Sequence, residues 1–239
     1  MEQRSRIPVL ETSTIGKCTM ALTLDTSHKS TSGLYHLCPA QILTCPYCGE
    51  RKKIMSLLSG NTFGAKLWSD NKKIAPMLPE ISLIQKCPEC GKYYFRTRQE
   101  AVFSDDDDWG SDSGVLTFPE MKEAFMQLSE EGFVDANEER SARMMLHHAF
   151  NDYYYRNNSD GKPVNDDDWS IFKENALWII EHVITDGVLK AEYYREIGMM
   201  EEALSVLQNL TLTNEFVKKV AEEVAKRIMK NDRKVFLIR

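Results

Sequence analysis

The spacing of apolar residues changes character near position 117. Between residues 41 and 100, short β-type runs at 41–44, 81–86 and 92–96 alternate with Pro, Gly and Cys, so short strands separated by tight turns are predicted there. Past 117 the apolar positions recur at helical spacing, and helix entry signals accompany them. Thr117 with Glu120 forms a capping box, and Pro119 lies in the first turn, where its missing N–H costs little; Gly132 should end that helix. Asp135 opens a second helix that runs through Tyr155 and closes at the turn-rich stretch 157–163. A third follows Asp166, Asp167 and Asp168, whose carboxylates suit the positive end of a helix dipole, and it carries Ile171, Ala176, Trp178, Ile179 and Val183 toward a core. Asp186-Gly187 marks a break. Helices are predicted over 188–197, 200–210 and 214–230, and the apolar tail 235–238 should dock as a short strand or extended segment.

These elements define an α+β protein. Residues 1–40, rich in Ser and Thr without either periodicity, should be poorly ordered; 41–104 form a small β-rich domain; 105–116, with Asp105 to Asp108 and two glycines, act as an acidic linker; 117–239 form an all-α domain. The Asp-rich start of that linker is not a calcium loop, because Trp109 and Leu116 stand where ligands belong.

Charge follows the same division. The chain of 239 residues has a net charge of −6, but residues 41–100 carry +5 and residues 101–239 carry −12. No apolar run is long enough to cross a bilayer, and residues 1–30 hold no secretory apolar stretch, so a cytoplasmic, reducing environment is expected.

The chemistry concentrates in two cysteine pairs. Cys45-Pro46-Tyr47-Cys48-Gly49 and Cys87-Pro88-Glu89-Cys90-Gly91 repeat one knuckle pattern, which is the spacing of a four-thiolate site closed around one metal ion. Cys45, Cys48, Cys87 and Cys90 are therefore the expected ligands of a structural zinc, in the strand, knuckle, strand layout of a zinc ribbon. Four protein ligands leave no position for water or substrate, which argues against a catalytic metal. The 38 residues between Cys48 and Cys87 exceed a compact ribbon and should hold an inserted hairpin or long loop carrying Trp68. Cys18 and Cys38 are read as spare thiols rather than further ligands.

Residues 191–207 resemble the centre of a tetratricopeptide repeat, with Tyr194 on the first helix, Gly198 at the turn, and Ala203 and Leu207 on the second helix. Taken together, residues 41–239 resemble a group of uncharacterised bacterial proteins with an N-terminal four-cysteine zinc ribbon and a C-terminal tetratricopeptide-like helical domain. That resemblance implies zinc and a helical interaction domain, and it implies no reaction.

The remaining polar clusters read as structural. His147 and His148 are adjacent on a helix and point in different directions, so they do not grip one ion together, and at least one fills core or interface. One or two of Tyr153, Tyr154 and Tyr155 should be core, and the chain has no Gly-rich phosphate loop, serine nucleophile elbow or His-Glu-x-x-His pattern. The preferred reading is thus a non-enzymatic zinc-binding protein whose helical domain meets a protein or peptide partner. One alternative is nucleic-acid binding through Arg51, Lys52, Lys53, Lys92, Arg96 and Arg98, with Tyr93, Tyr94 and Phe95 interleaved. Another is rubredoxin-like electron transfer, with iron in place of zinc.

Overall fold

A computed structural model describes residues 35–104, 110, 112–157 and 161–239. Among the described residues, small antiparallel sheets come first and six α-helices follow, so the protein is α+β. The chain divides into two compact units. The first comprises residues up to Phe63 together with Pro76–Val115, and the second comprises Gly64–Ala75 and Leu116–Arg239.

In the first unit, β1 (Tyr35–Thr44) pairs antiparallel with β2 (Arg51–Gly60). The register slips between Cys38 and Gln41, around Pro39, which has no N–H to give to a ladder. Strand β1 also pairs with β7 (Val102–Phe103), and a second hairpin joins β5 (Ile84–Lys86) to β6 (Tyr93–Phe95). Leu43, Ile54 and Tyr94 pack with Cys45 and Cys87 into one apolar cluster.

Two expectations need correction here. Residues 35–40, expected to be disordered, form the first half of β1, and Cys38 and Ala40 are buried. Residues 1–34 lie outside the described residues, as do 105–109 and 111 of the expected linker. The end of that linker belongs to the first unit: the Met55 N–H donates to the Asp112 carbonyl (2.9 Å), the Ser82 N–H donates to the Ser113 carbonyl (3.0 Å), and Lys52 Nζ lies 2.6 Å from the Asp112 carboxylate.

The second unit holds a short hairpin of β3 (Lys66–Leu67) and β4 (Lys73–Ile74), followed by α1 (Phe118–Glu131), α2 (Ala136–Asn151), α3 (Asp166–His182), α4 (Gly187–Glu196), α5 (Met200–Gln208) and α6 (Glu215–Met229). A π-helical turn, Asp152–Arg156, extends α2. The helices start where their capping side chains stand. Thr117 N–H donates to Glu120 Oε2 (3.1 Å), and the side chains of Asp135, Asn165, Asp186 and Asn214 each accept from backbone N–H groups of the first turn.

Helices α4 and α5 form a hairpin. Gly198 turns it at φ +80°, a left-handed conformation that L side chains rarely adopt, and Ala203, with 0% exposure, sits in the core shared with Val188, Val224 and Phe236. The tail docks as an extended segment. Leu67 N–H donates to the Arg239 carbonyl (2.8 Å), Ile238 N–H donates to the Leu67 carbonyl (2.8 Å), and Trp68 bridges Leu237. Part of the insert between the cysteine pairs is therefore a strand partner within the helical unit, although the whole of 41–104 was expected to belong to the ribbon. Among the described residues, no helix is long and apolar enough to cross a membrane.

Candidate metal centre

Each cysteine pair occupies the tip of a hairpin in the first unit. Where β1 meets β2, the Cys45 N–H donates to the Glu50 carbonyl (2.7 Å) and the Gly49 N–H donates to the Cys45 carbonyl (3.0 Å). Where β5 meets β6, the Cys87 N–H donates to the Lys92 carbonyl (2.8 Å) and the Gly91 N–H donates to the Cys87 carbonyl (3.1 Å). The two turns are thus built alike. Gly49 (φ +79°) and Gly91 (φ +72°) both require the left-handed region; a Cβ at either would meet nothing within 4 Å, so backbone conformation rather than crowding selects glycine.

The hairpins bring four sulfurs together. Cys45 Sγ lies 3.7 Å from Cys90 Sγ, Cys48 Sγ lies 3.6 Å from Cys87 Sγ, and all four are within 4.8 Å of one another. A tetrahedron with metal–sulfur bonds of about 2.3 Å has an edge of about 3.8 Å, so this spacing suits one ion at the centre. Both short distances run from one hairpin to the other, and neither pair alone completes the set. Cys45 and Cys87 are buried, whereas Cys48 and Cys90 face solvent.

The thiols are electrostatically unequal. Burial pushes the Cys87 thiol up, but the backbone N–H groups of Cys90 and Glu89 and the neighbouring cysteines draw it down to about 7. At Cys48 a backbone hydrogen bond at Glu50 lowers the value, yet burial and the other three cysteines carry it to about 12. Cys90 also ends above its ordinary value: its lowering backbone bond at Lys92 is outweighed chiefly by burial and Cys87. One thiolate forms readily and opposes the next, and a central cation removes that opposition. Cys38, expected to be a spare thiol, is disulfide-bonded instead and is not one of the clustered sulfurs.

The basic residues of the first unit have varied surroundings. Arg51, Lys53, Lys92 and Arg98 are exposed. Lys92 Nζ stands 4.9 Å over the Tyr47 ring, and the Arg98 guanidinium stands 5.3 Å over Phe95. Lys52 is paired with Asp112 and also donates to Gln85 Oε1 (3.3 Å), while Arg96 donates to Gln41 Oε1 (2.8 Å). Tyr93, Tyr94 and Phe95 are buried at 4%, 2% and 1% exposure, so their faces do not offer a platform for bases.

Sequence reasoning missed a second polar constellation, inside the helical unit. Asp70, in the turn between β3 and β4, is fully buried and receives Arg156 Nη1 at 2.6 Å. Asn151 Nδ2 donates to both Asp70 Oδ2 (3.0 Å) and Glu196 Oε2 (3.0 Å), and His147 Nε2 lies 2.9 Å from the same Glu196 oxygen. The His147 ring is stacked between Phe172 (4.7 Å) and Tyr193 (4.2 Å). Arg195 donates to Glu192 through Nε (2.8 Å) and Nη2 (2.5 Å) and reaches the backbone carbonyls of Asp232 and Lys234.

Burial opposes ionisation of Asp70, but His148, Arg156 and His147 hold its carboxyl down at about 2. Burial, reinforced by Asp70, lifts Glu196 to about 8; burial likewise lifts Glu192 to about 7 against the pull of Arg195. His147 and His148 are both pushed down to about 4 by burial, so each is neutral at pH 7. Comparisons with family models, curated proteins and solved structures return no match to this chain.

Proposed function

We propose that the protein is a non-enzymatic zinc-binding interaction protein. In this reading, Cys45, Cys48, Cys87 and Cys90 hold a structural zinc that fixes the two hairpins as a zinc ribbon, and the helical unit, with α4 and α5 as a tetratricopeptide-like pair, meets a protein or peptide partner. The observation that carries it is the four-sulfur cluster, whose spacing suits a tetrahedral ion and whose donors all come from the chain. A closed thiolate site serves architecture, because it has no vacant position at which to polarise a substrate. The small apolar cluster beneath the knuckles includes two of the ligands, so metal and core stabilise the same fold.

Burial of Tyr93, Tyr94 and Phe95 and the internal pairing of Lys52 and Arg96 favour this reading over nucleic-acid binding. Elemental analysis of protein purified without chelator should find one zinc per chain, falling below a tenth of an equivalent in Cys45→Ser. Zinc below half an equivalent would refute the metal assignment. Iron, with strong visible absorption, would replace it with the electron-transfer reading.

A further inference from the structure

The four clustered sulfurs differ in access, and the difference is arranged across the two hairpins. Cys48 on the first hairpin and Cys90 on the second are exposed, whereas Cys45 and Cys87 are buried in the apolar cluster with Leu43, Ile54 and Tyr94. Each exposed sulfur has a buried sulfur of the opposite hairpin beside it: Cys48 Sγ is 3.6 Å from Cys87 Sγ, and Cys90 Sγ is 3.7 Å from Cys45 Sγ. A disulfide bond is about 2.05 Å long, so either pair could close by an approach of roughly 1.6 Å.

The hairpins are also tied to each other by contacts that need no metal. The Tyr47 hydroxyl donates to the Tyr93 carbonyl (3.2 Å), and Lys92 Nζ stands 4.9 Å over the Tyr47 ring. Lys52 Nζ donates to Gln85 Oε1 (3.3 Å), and Arg96 Nη2, just past β6, donates to Gln41 Oε1 on β1 (2.8 Å). These links keep the opposed sulfurs facing one another when the ion leaves. Cys38 is already disulfide-bonded and offers no thiol to compete.

On the premise that these sulfurs hold zinc, we infer that the site is a thiol switch for peroxides: oxidation joins Cys48 to Cys87 and Cys90 to Cys45, expels the ion and leaves the hairpins linked by disulfides. A cysteine that ligates a metal is a thiolate, the nucleophilic form. The exposed Cys48 sulfur attacks one peroxide oxygen. Its S–O bond forms as the O–O bond breaks, and the departing hydroxide is protonated to water, which leaves a sulfenic acid. The Cys87 thiolate then attacks the Cys48 sulfur; the S–S bond forms, the S–O bond breaks, and the hydroxide released becomes a second water. Each sulfur loses one electron and the peroxide gains both. Cys90 and Cys45 repeat the steps with a second peroxide. The first bridge already removes two of the four thiolate donors, and with them the grip on the ion. A dithiol reverses both bridges by thiol–disulfide exchange.

The test treats full-length, zinc-loaded protein with an equimolar portion of hydrogen peroxide, blocks the remaining thiols with N-ethylmaleimide, and reads the tryptic digest by tandem mass spectrometry. The four cysteines lie on two tryptic peptides, 30–51 and 87–92, so a bridge between hairpins joins the peptides and a bridge within a knuckle does not. Labels left on Cys45 and Cys90 report the Cys48–Cys87 bridge, and labels left on Cys48 and Cys87 report the other. Both patterns are expected. Free zinc, read with the chromophoric chelator 4-(2-pyridylazo)resorcinol, should rise by about one ion per first bridge, and dithiothreitol with fresh zinc should restore the loaded protein. Any other label pattern overturns the inference, as does sulfonic acid at Cys48 or Cys90 without a bridge, or zinc retained through an exposure that oxidises N-acetylcysteine in the same solution. Zinc counted before peroxide is added separates the switch from its premise. Protein that starts with less than half an equivalent refutes both, whereas protein that starts loaded and fails on bridging or release overturns the switch alone.

Discussion

Replacing Asp70 by alanine should destabilise helices that are distant from it in sequence. Asp70 and Arg156 are separated by 86 positions, yet their side chains are 0% and 1% exposed and meet at 2.6 Å. Removing the carboxylate leaves the guanidinium buried with Asp152 as its remaining carboxylate contact, and it takes one acceptor from Asn151 Nδ2. Breaking one partner out of a buried pair costs about 3–5 kcal/mol, a large share of the roughly 5–15 kcal/mol that holds a domain folded. The assay is urea denaturation of metal-loaded protein, followed by helical circular dichroism. Asp70→Ala should lower the unfolding free energy of the helical signal by about 3–5 kcal/mol, and Asp70→Ala with Arg156→Met should recover part of that loss because no unpaired charge remains. A loss below about 1 kcal/mol, or a double variant no better than the single one, would refute the view that the pair is an electrostatic element of the helical core.

The remaining predictions concern pH, packing and partners. Folded Glu196 and Glu192 keep protons up to about 8 and about 7, whereas the unfolded chain releases them near 4.5, so their stabilising contribution is complete below 4.5 and is lost as pH rises through the folded values. His147 and His148, at about 4 when folded and 6.5 when unfolded, act oppositely: their contribution is complete above 6.5 and lost as pH falls toward 4. Between pH 6.5 and 8 the carboxyls alone of this set change, so the urea midpoint of the helical signal should fall, and Glu196→Gln should flatten most of that slope. Ala203→Leu should cost about 1–3 kcal/mol by forcing α4 and α5 apart, measured by the same denaturation; a variant as stable as the parent would show that the hairpin tolerates wider packing. Binding to generic DNA or RNA should be weak at physiological salt in a fluorescence anisotropy titration. A tight complex whose affinity falls steeply with salt and is weakened by Arg51→Ala with Lys53→Ala would overturn the protein-partner reading.

Local signals were legible in the sequence, and distant ones were not. Helix starts could be read because a cap is a contact over two or three residues, as Asp186 shows by accepting from the Leu189 N–H, and the knuckles could be read because their spacing is their chemistry. Strand β2 was missed: of Arg51–Gly60 only Ile54 and Ser56 are buried, which leaves no apolar alternation to detect. The polar core was missed for a different reason. Asp70 looks like an ordinary turn residue, and nothing near it in sequence announces that Arg156, Asn151 and His148 surround it. The same blindness applied to the insert between the cysteine pairs. Its length marked it as additional, but its pairing with residues 236–239 depends on the far end of the chain.

That insert makes the two units inseparable by cutting. The chain passes from the first unit to the second after Phe63, returns at Pro76, and leaves again after Val115, so neither unit is a continuous stretch. A fragment beginning at Leu116 would contain the six described helices but lack Asp70 and the strand partner of the tail. A fragment ending at Val115 would keep the four clustered cysteines while exposing a hairpin made to lie in another core. During synthesis the hairpin emerges before the described helices it serves, and the helical unit can be completed only when Ile238 and Arg239 arrive to pair with Leu67. What resembles a modular chain is therefore a single unit of inheritance, in which gain, loss or exchange of either half would have to carry part of the other with it.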